Sequence, residues 1–193
     1  VSTLEGVVLA AGKSTRTGGR YKMALDLGGQ PLIRRSVDSL RPVCGRIIVV
    51  AGHNPDRLGR LLAGCADVEI ICNDDYEQGM FTSVRCGIRH VTADAFLLLP
   101  GDIPLVGPET VRRLASLTAD IVIPRHEGRN GHPVRVNARF IPEILAMPAE
   151  ATLRDFMHRQ EITVLDVTDR GIVMDIDDLD DYENAREYWT TRE

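Results

Sequence analysis

Five short apolar runs, separated by segments of helical periodicity, restrict the fold more than any other feature of this chain. They are Val7–Ala10, Arg46–Ala51, Val68–Cys72, Ala95–Leu99 and Asp120–Pro124. Each is a continuous stretch of β-branched residues or leucine, the pattern of a strand covered on both faces. Between them lie Pro31–Leu40, Pro55–Leu62, Met80–Val91 and Pro108–Leu117, with apolar residues at three- and four-residue steps. Pro31, Pro55 and Pro108 stand near the starts of these segments, where a missing N–H costs least. Such alternation predicts an α/β fold, a mostly parallel sheet with helices on both faces. After residue 125 the rhythm changes. A glycine-rich turn or hairpin, "RHEGRNGHPVRV", leads to helices over Pro142–Met147 and Thr152–Arg159, strands over Ile162–Val167 and Ile172–Asp175, and a polar helix from about Leu179. With no repeat or linker in view, residues 1–193 are expected to form a single domain with an accessory β-rich half.

Composition narrows the function classes. The formal charge of −5 offers no basic footprint for nucleic acid, and aromatics at 5% leave no stacking surface for single strands. The four cysteines stand singly, without metal-site spacing, and are expected to be reduced, buried thiols of a cytoplasmic protein. No apolar run reaches the ~18–20 residues of a membrane span, and no signal-peptide pattern opens the chain. Of 23 basic residues only Lys13 and Lys22 are lysines, both in the opening stretch. Arginine serves elsewhere, so lysine marks places that suit a compact ammonium.

Open α/β sheets bind ligands at the carboxyl ends of their strands, which directs attention to three loops. The first lies within "GVVLAAGKSTRTGGRYK", residues 6–22. Its Gly12-Lys13-Ser14 imitates the end of a Walker A loop, but Gly6 lies one residue too early and the residues between read as a strand. No GxGxxG follows the first strand either, which disfavours a dinucleotide fold. Small residues at Ala10, Ala11 and Gly12 allow close approach to backbone N–H groups, Arg16 offers a fork for phosphate oxygens, and the lysines offer point charges. The second loop is Pro100-Gly101-Asp102-Ile103-Pro104. A carboxylate at the tip of an apolar strand suits Mg²⁺ bridging phosphates, although a plain turn also reads this way. The third, "NDDYEQGMFTS" over residues 73–83, places Gly79 before a helix and Ser83 on its first turn, a ligand approach or a simple cap. His132, in Gly131-His132-Pro133, reads on chemistry alone as a structural or exposed histidine. The acidic run 175–181 reads as a helix start favoured by the dipole. Asp175, at the end of an expected strand, could also reach a metal, with Asp177 two residues on as a substitute. There is no Gly-x-Ser-x-Gly elbow and no HExxH helix.

Taken together, Leu9-Ala10-Ala11-Gly12-x-Ser14-x-Arg16-x-Gly18, the following lysine and Gly101-Asp102-x-Pro104 resemble the signature of the MobA-like nucleotidyltransferases. "GMFTSVRCGI" resembles that family's segment after the third strand. "GHPV" and "DIDDLDDYENA" resemble segments of its molybdopterin cytidylyltransferase branch. The resemblance implies a glycosyltransferase-A-like fold and Mg²⁺-dependent transfer, with Mn²⁺ as a substitute. An NMP group would pass from an NTP to a phosphorylated small-molecule acceptor, with release of pyrophosphate. It implies a nucleotide cradle from Leu9, Ala10, Ala11, Gly12, Lys13 and Ser14, with Arg16 on the β/γ-phosphates and Lys22 on the α-phosphate. Gly79 and Ser83 would lie near base or ribose, Gly101 and Asp102 at the phosphates and metal, and His132 on the acceptor side. Arg16, Lys22 and Asp102 form the implied catalytic set; Asp102 and Asp175 are the expected metal ligands. Ala11, where the guanylyl branch has glycine, favours CTP, and the branch implies molybdopterin as acceptor. Transient contact with a molybdenum enzyme or its chaperone would follow. Two features depart from the pattern: three residues rather than two separate Gly18 from Lys22, so Gly19 or an extra residue fills the difference, and Tyr21 stands where an acidic residue is common. Alternative readings are guanylyl or sugar-phosphate nucleotidyl transfer on the same fold, or a nucleotide-binding accessory protein without turnover.

Overall fold

The computed structural model describes residues 3–14 and 17–191. Strand β1 (Leu4–Ala10) is followed by a small hairpin, β2 (Asp26–Leu27) and β3 (Gln30–Pro31), and by helix α1 (Leu32–Leu40). Then come β4 (Ile47–Ala51), α2 (Pro55–Leu61), β5 (Val68–Cys72), α3 (Met80–Ile88), β6 (Ala95–Pro100) and α4 (Pro108–Ser116). The second half runs β7 (Ile121–His126), β8 (Arg129–Asn130), β9 (Val134–Asn137), α5 (Ile141–Ala146), α6 (Leu153–Met157), β10 (Thr163–Asp166) and α7 (Leu179–Thr191).

The main sheet has the order β10-β7-β9-β6-β1-β4-β5, with β8 paired to β7. Neighbouring strands are parallel except around β9, which runs antiparallel to β6 and β7, and in the β7–β8 hairpin. The chain steps outward from β1 to β4 and β5, then returns to place β6 on the other side of β1. Loops that leave β1 and β6 therefore part in opposite directions and open a crevice between them. Alternation along β1 feeds two cores. Val8 and Ala10 pack with Leu32, Ile33 and Val37 of α1 on one face; Val7 and Leu9 pack with Phe81 and Val84 of α3 on the other. The central strands are fully enclosed: Val7, Val8, Ile48, Val49, Leu97 and Leu99 are 0% exposed. Truncating one of the leucines to alanine costs about 2–5 kcal/mol at such sites.

Two expectations need correction, and one element was not anticipated. The segment predicted as a strand over Ile172–Asp175 forms a 3-10 turn, Arg170–Val173. Asp169 holds that turn, its carboxylate accepting from the N–H groups of Gly171 and Gly107 and from the Thr110 hydroxyl. Ile172 is fully buried, and burial is shared by strands and turns, so the apolar run alone did not discriminate. Asp175 thus follows a turn rather than ending a strand. The cysteines are all free, but only Cys44 is buried, and Cys72 at the end of edge strand β5 is exposed. Finally, the β2–β3 hairpin turns through Gly28 and Gly29, both with positive φ (62° and 82°). Among the described residues, no helix is long and apolar enough to cross a membrane.

Candidate active site

The crevice between β1 and β6 is set by backbone pairing. Leu9 pairs with Pro100, and the N–H of Gly101 donates to the Leu9 carbonyl at 2.8 Å. A side chain at Gly101 would meet that same oxygen at 2.9 Å, so glycine permits the approach. The Gly101 carbonyl in turn accepts from Ser36 Oγ of α1 at 2.7 Å. Asp102 thus leaves the sheet on a clamped backbone. Its own carbonyl accepts from the Ile176 N–H at 2.9 Å, which draws the segment before α7 alongside.

Lys22 enters from the other side, on a single 3-10 turn over Lys22–Ala24. Its side chain is buried, and its ammonium donates to Asp102 Oδ2 at 2.8 Å and Asp177 Oδ1 at 3.3 Å. The preceding Tyr21, where the resemblance led to an acidic residue, packs in the core with Arg57 over its ring at 5.2 Å. Burial pushes its phenol up to about 12 against the nearby Arg57, so it stays neutral beside the lysine. Asp177 is therefore a second counter-ion where Tyr21 supplies none.

A cavity of about 310 Å³ opens over this triad, of the size of small-molecule sites. One wall is the loop after β1, with Ala11, Gly12, Lys13 and Ser14. Ser14 has φ 57°, and its buried hydroxyl oxygen has no hydrogen-bond partner among the described residues. A turn of this kind with small residues suits an anion. Lys13 stands at the mouth, half exposed, paired with Glu77 and 5.9 Å from the centre of the Tyr76 ring. The far wall carries Tyr76, Met80 and Ser83. Ser83 is held by Asn73, whose side-chain amide donates to Ser83 Oγ at 3.0 Å and Thr82 Oγ1 at 2.9 Å.

The structure brings together Leu9, Ala11, Gly12, Lys13, Ser14, Lys22, Ser83 and Asp102 of the residues picked out by sequence. Ala10, Gly79 and Gly101 adjoin the lining without being part of it. Arg16 lies outside the described residues. Asp175 is exposed and outside the lining; Asp177 takes the place beside Lys22. His132 is also off the cavity, its Nδ1 3.4 Å from the Leu98 carbonyl, and its peptide bond to Pro133 is cis. Desolvation holds its imidazole below the usual histidine range, although the Leu98 carbonyl and the Asp102 and Asp175 carboxylates favour the cation. Asp178 and Asp181 cap α7: Asp181 accepts from the N–H groups of Asp177 and Asp178, and Asp178 accepts from that of Asp181. Tyr76, Met80 and Asn73 were not singled out individually by sequence; their signal was their place in the 73–83 segment that leads into α3.

A cleft at the topological switch of a mostly parallel sheet, walled by a small-residue loop, a buried lysine and two carboxylates, lies where open α/β sheets bind their ligands. Residues 6–164 match the MobA-like NTP transferase domain, and the chain belongs to that family. It is a nucleotidyltransferase. The chain is 29% identical over 191 residues to the molybdenum cofactor cytidylyltransferase of Escherichia coli (strain K12), covering 98% of this chain and 99% of that protein. It is 28% identical over 148 residues to the molybdenum cofactor guanylyltransferase of Vibrio cholerae, with coverage of 74% and 70%. Among solved structures, Rv0371c of Mycobacterium tuberculosis superposes with a TM-score of 0.85 at 26% identity over 97% and 98% of the two chains. A manganese complex of the same mycobacterial protein gives 0.79 at 25% identity, over 97% and 99%.

Proposed function

We propose that this chain transfers a cytidylyl group from CTP to a phosphorylated pterin acceptor of the molybdopterin type, releasing pyrophosphate. The observation that carries the reading is the convergence of the Gly12–Ser14 turn, Lys22 and Asp102 on one cavity. The cytidylyltransferase relative matches the chain nearly end to end and the guanylyltransferase only in part, which favours CTP over GTP. Ala11 supports the same choice, since its methyl narrows the cavity wall where a larger purine would press.

In this mechanism the backbone of Ala10–Gly12 and the Ser14 hydroxyl bind the triphosphate, together with Arg16. Lys22 holds the α-phosphate. A phosphate oxygen of the acceptor attacks the α-phosphorus and pyrophosphate leaves opposite. The attacking group is already anionic, so no protein base is required. The work of the site is positioning and neutralising charge. Asp102 and Asp177 fit a divalent cation: the ammonium of Lys22 lies within 3.3 Å of an oxygen of each, so the pair already surrounds one positive charge. Mg²⁺ is held by one or two carboxylates with phosphates and waters completing the shell, and would supply charge neutralisation here, with Mn²⁺ as substitute. The geometry favours Asp177 over Asp175 as partner of Asp102. Gly79 and Ser83 lie toward the base and ribose, and His132 backs Asp102 on the acceptor side.

The test is a screen of the four NTPs against molybdopterin and common sugar phosphates with Mg²⁺, read as pyrophosphate. CTP with molybdopterin is expected to give the largest signal. A larger signal with GTP would move the chain to the guanylyl branch, and one with a sugar phosphate would replace the acceptor.

A further inference from the structure

Lys22 and the proposed metal compete for the same two carboxylates. Its ammonium sits 2.8 Å from Asp102 and 3.3 Å from Asp177, and its side chain is 11% exposed. A divalent cation held by that pair would face a full positive charge a few ångströms away in a poorly solvated corner, where like charges repel strongly. The other lysine, Lys13, is held at the mouth by Glu77 and cannot play this part. An incoming triphosphate changes the balance, because its oxygens offer the ammonium a new partner within the same cavity.

We propose that Lys22 is an exchangeable counter-ion. It occupies the Asp102–Asp177 gap in the free protein and moves to the nucleotide phosphates as the divalent cation takes its place. This rests on the reading of the site as a metal–NTP site. The consequence is reciprocal coupling: nucleotide raises the affinity for the divalent cation and the cation raises that for nucleotide by the same factor. The site would therefore fill with the metal–nucleotide complex rather than with free metal.

The chain has two lysines, so lysine-selective ¹³C labelling gives two side-chain signals, assigned with Lys13→Gln. In the wild-type chain Mg²⁺ alone is expected to leave the Lys22 signal in place, and Mg²⁺ with CTP to move it. In parallel, Mn²⁺ affinity without nucleotide is read from the free-ion electron paramagnetic resonance signal. Lys22→Met is expected to bind Mn²⁺ at least ~10-fold tighter than wild type, within the usual range of coupling between sites. A folded Lys22→Met that binds Mn²⁺ no tighter overturns the proposal. Should that variant not fold, a wild-type Lys22 signal that stays fixed in the Mg²⁺–CTP complex overturns it equally. Calorimetry that finds no CTP binding to the wild-type chain would instead overturn the nucleotide-site reading beneath it.

Discussion

The ammonium of Lys22 and the carboxylate of Asp102 meet at 2.8 Å across 80 positions of sequence, each delivered by a loop that leaves the carboxyl end of a parallel strand. Their meeting follows from the return of β6 to the free side of β1. The β1–β6 register, which pairs Leu9 with Pro100 and is extended by the Gly101 N–H bond to the Leu9 carbonyl, sets the height at which it happens.

Lys22→Ala is expected to lower turnover by at least ~10²-fold, the scale of losing one preorganised charge donor. Lys13→Ala is expected to cost much less, because Lys13 is half exposed and tied to Glu77 at the rim, where solvent screens it. Initial rates of both variants at saturating CTP decide the matter. A larger loss from Lys13→Ala would mean that the loop holds phosphates in another register.

Asp177→Asn is expected to raise the Mg²⁺ concentration needed for half-maximal rate, and Asp175→Asn to leave it close to wild type. The distinction rests on Asp177 lining the cavity beside Lys22 while Asp175 is exposed and outside it. Metal titrations of the two variants give the comparison, and the reverse order would restore Asp175 as the ligand.

Gly171→Ala is expected to destabilise the chain by about 1–3 kcal/mol through overpacking. A Cβ there would lie 1.9 Å from the Leu105 carbonyl oxygen, in backbone that cannot step aside. Gly59→Ala in α2, where nothing lies within 4 Å, should be neutral or stabilising by up to about 1 kcal/mol. The urea midpoint should fall in Gly171→Ala and hold or rise in Gly59→Ala, and equal falls would contradict this packing.

Glu5 provides a pH-dependent contribution. Burial alone would raise its pKa, but the Thr92 N–H, the Arg46 guanidinium, the Thr92 hydroxyl and the Ala93 N–H together hold it below the ordinary value near 4.5. A carboxylate with a lowered folded pKa stabilises fully above its unfolded value and loses that contribution as pH falls through the folded one. Stability from urea unfolding should therefore decline below about pH 4.5, and more gently in Glu5→Gln. Identical acid slopes in both proteins would remove Glu5 from the account.

The parallel half of the fold was legible because its strands are buried on both faces and spell themselves as uninterrupted apolar runs, and Asp102 was legible because it ends one of them. Asp177 was harder to place. Its neighbours Ile172 and Ile176 are fully buried, which in a short segment suits a strand as well as a 3-10 turn, and two aspartates two positions apart share a face in a strand, so the pattern did not separate Asp175 from Asp177. The β2–β3 hairpin was not anticipated, because two-residue strands carry too few side chains to show a period. Tyr76 and Met80 became visible as cavity wall only through tertiary packing, since nothing in their local pattern separates a pocket wall from an exposed approach to a helix.

The central claim is that the site moves a nucleotidyl group rather than hydrolysing the triphosphate. CTP labelled at the α-phosphorus, incubated with the chain, Mg²⁺ and molybdopterin, tests it directly. Label is expected in the pterin product, with one pyrophosphate released per transfer and GTP a poorer donor. Label left on free nucleotide, with orthophosphate as the released product, would contradict it.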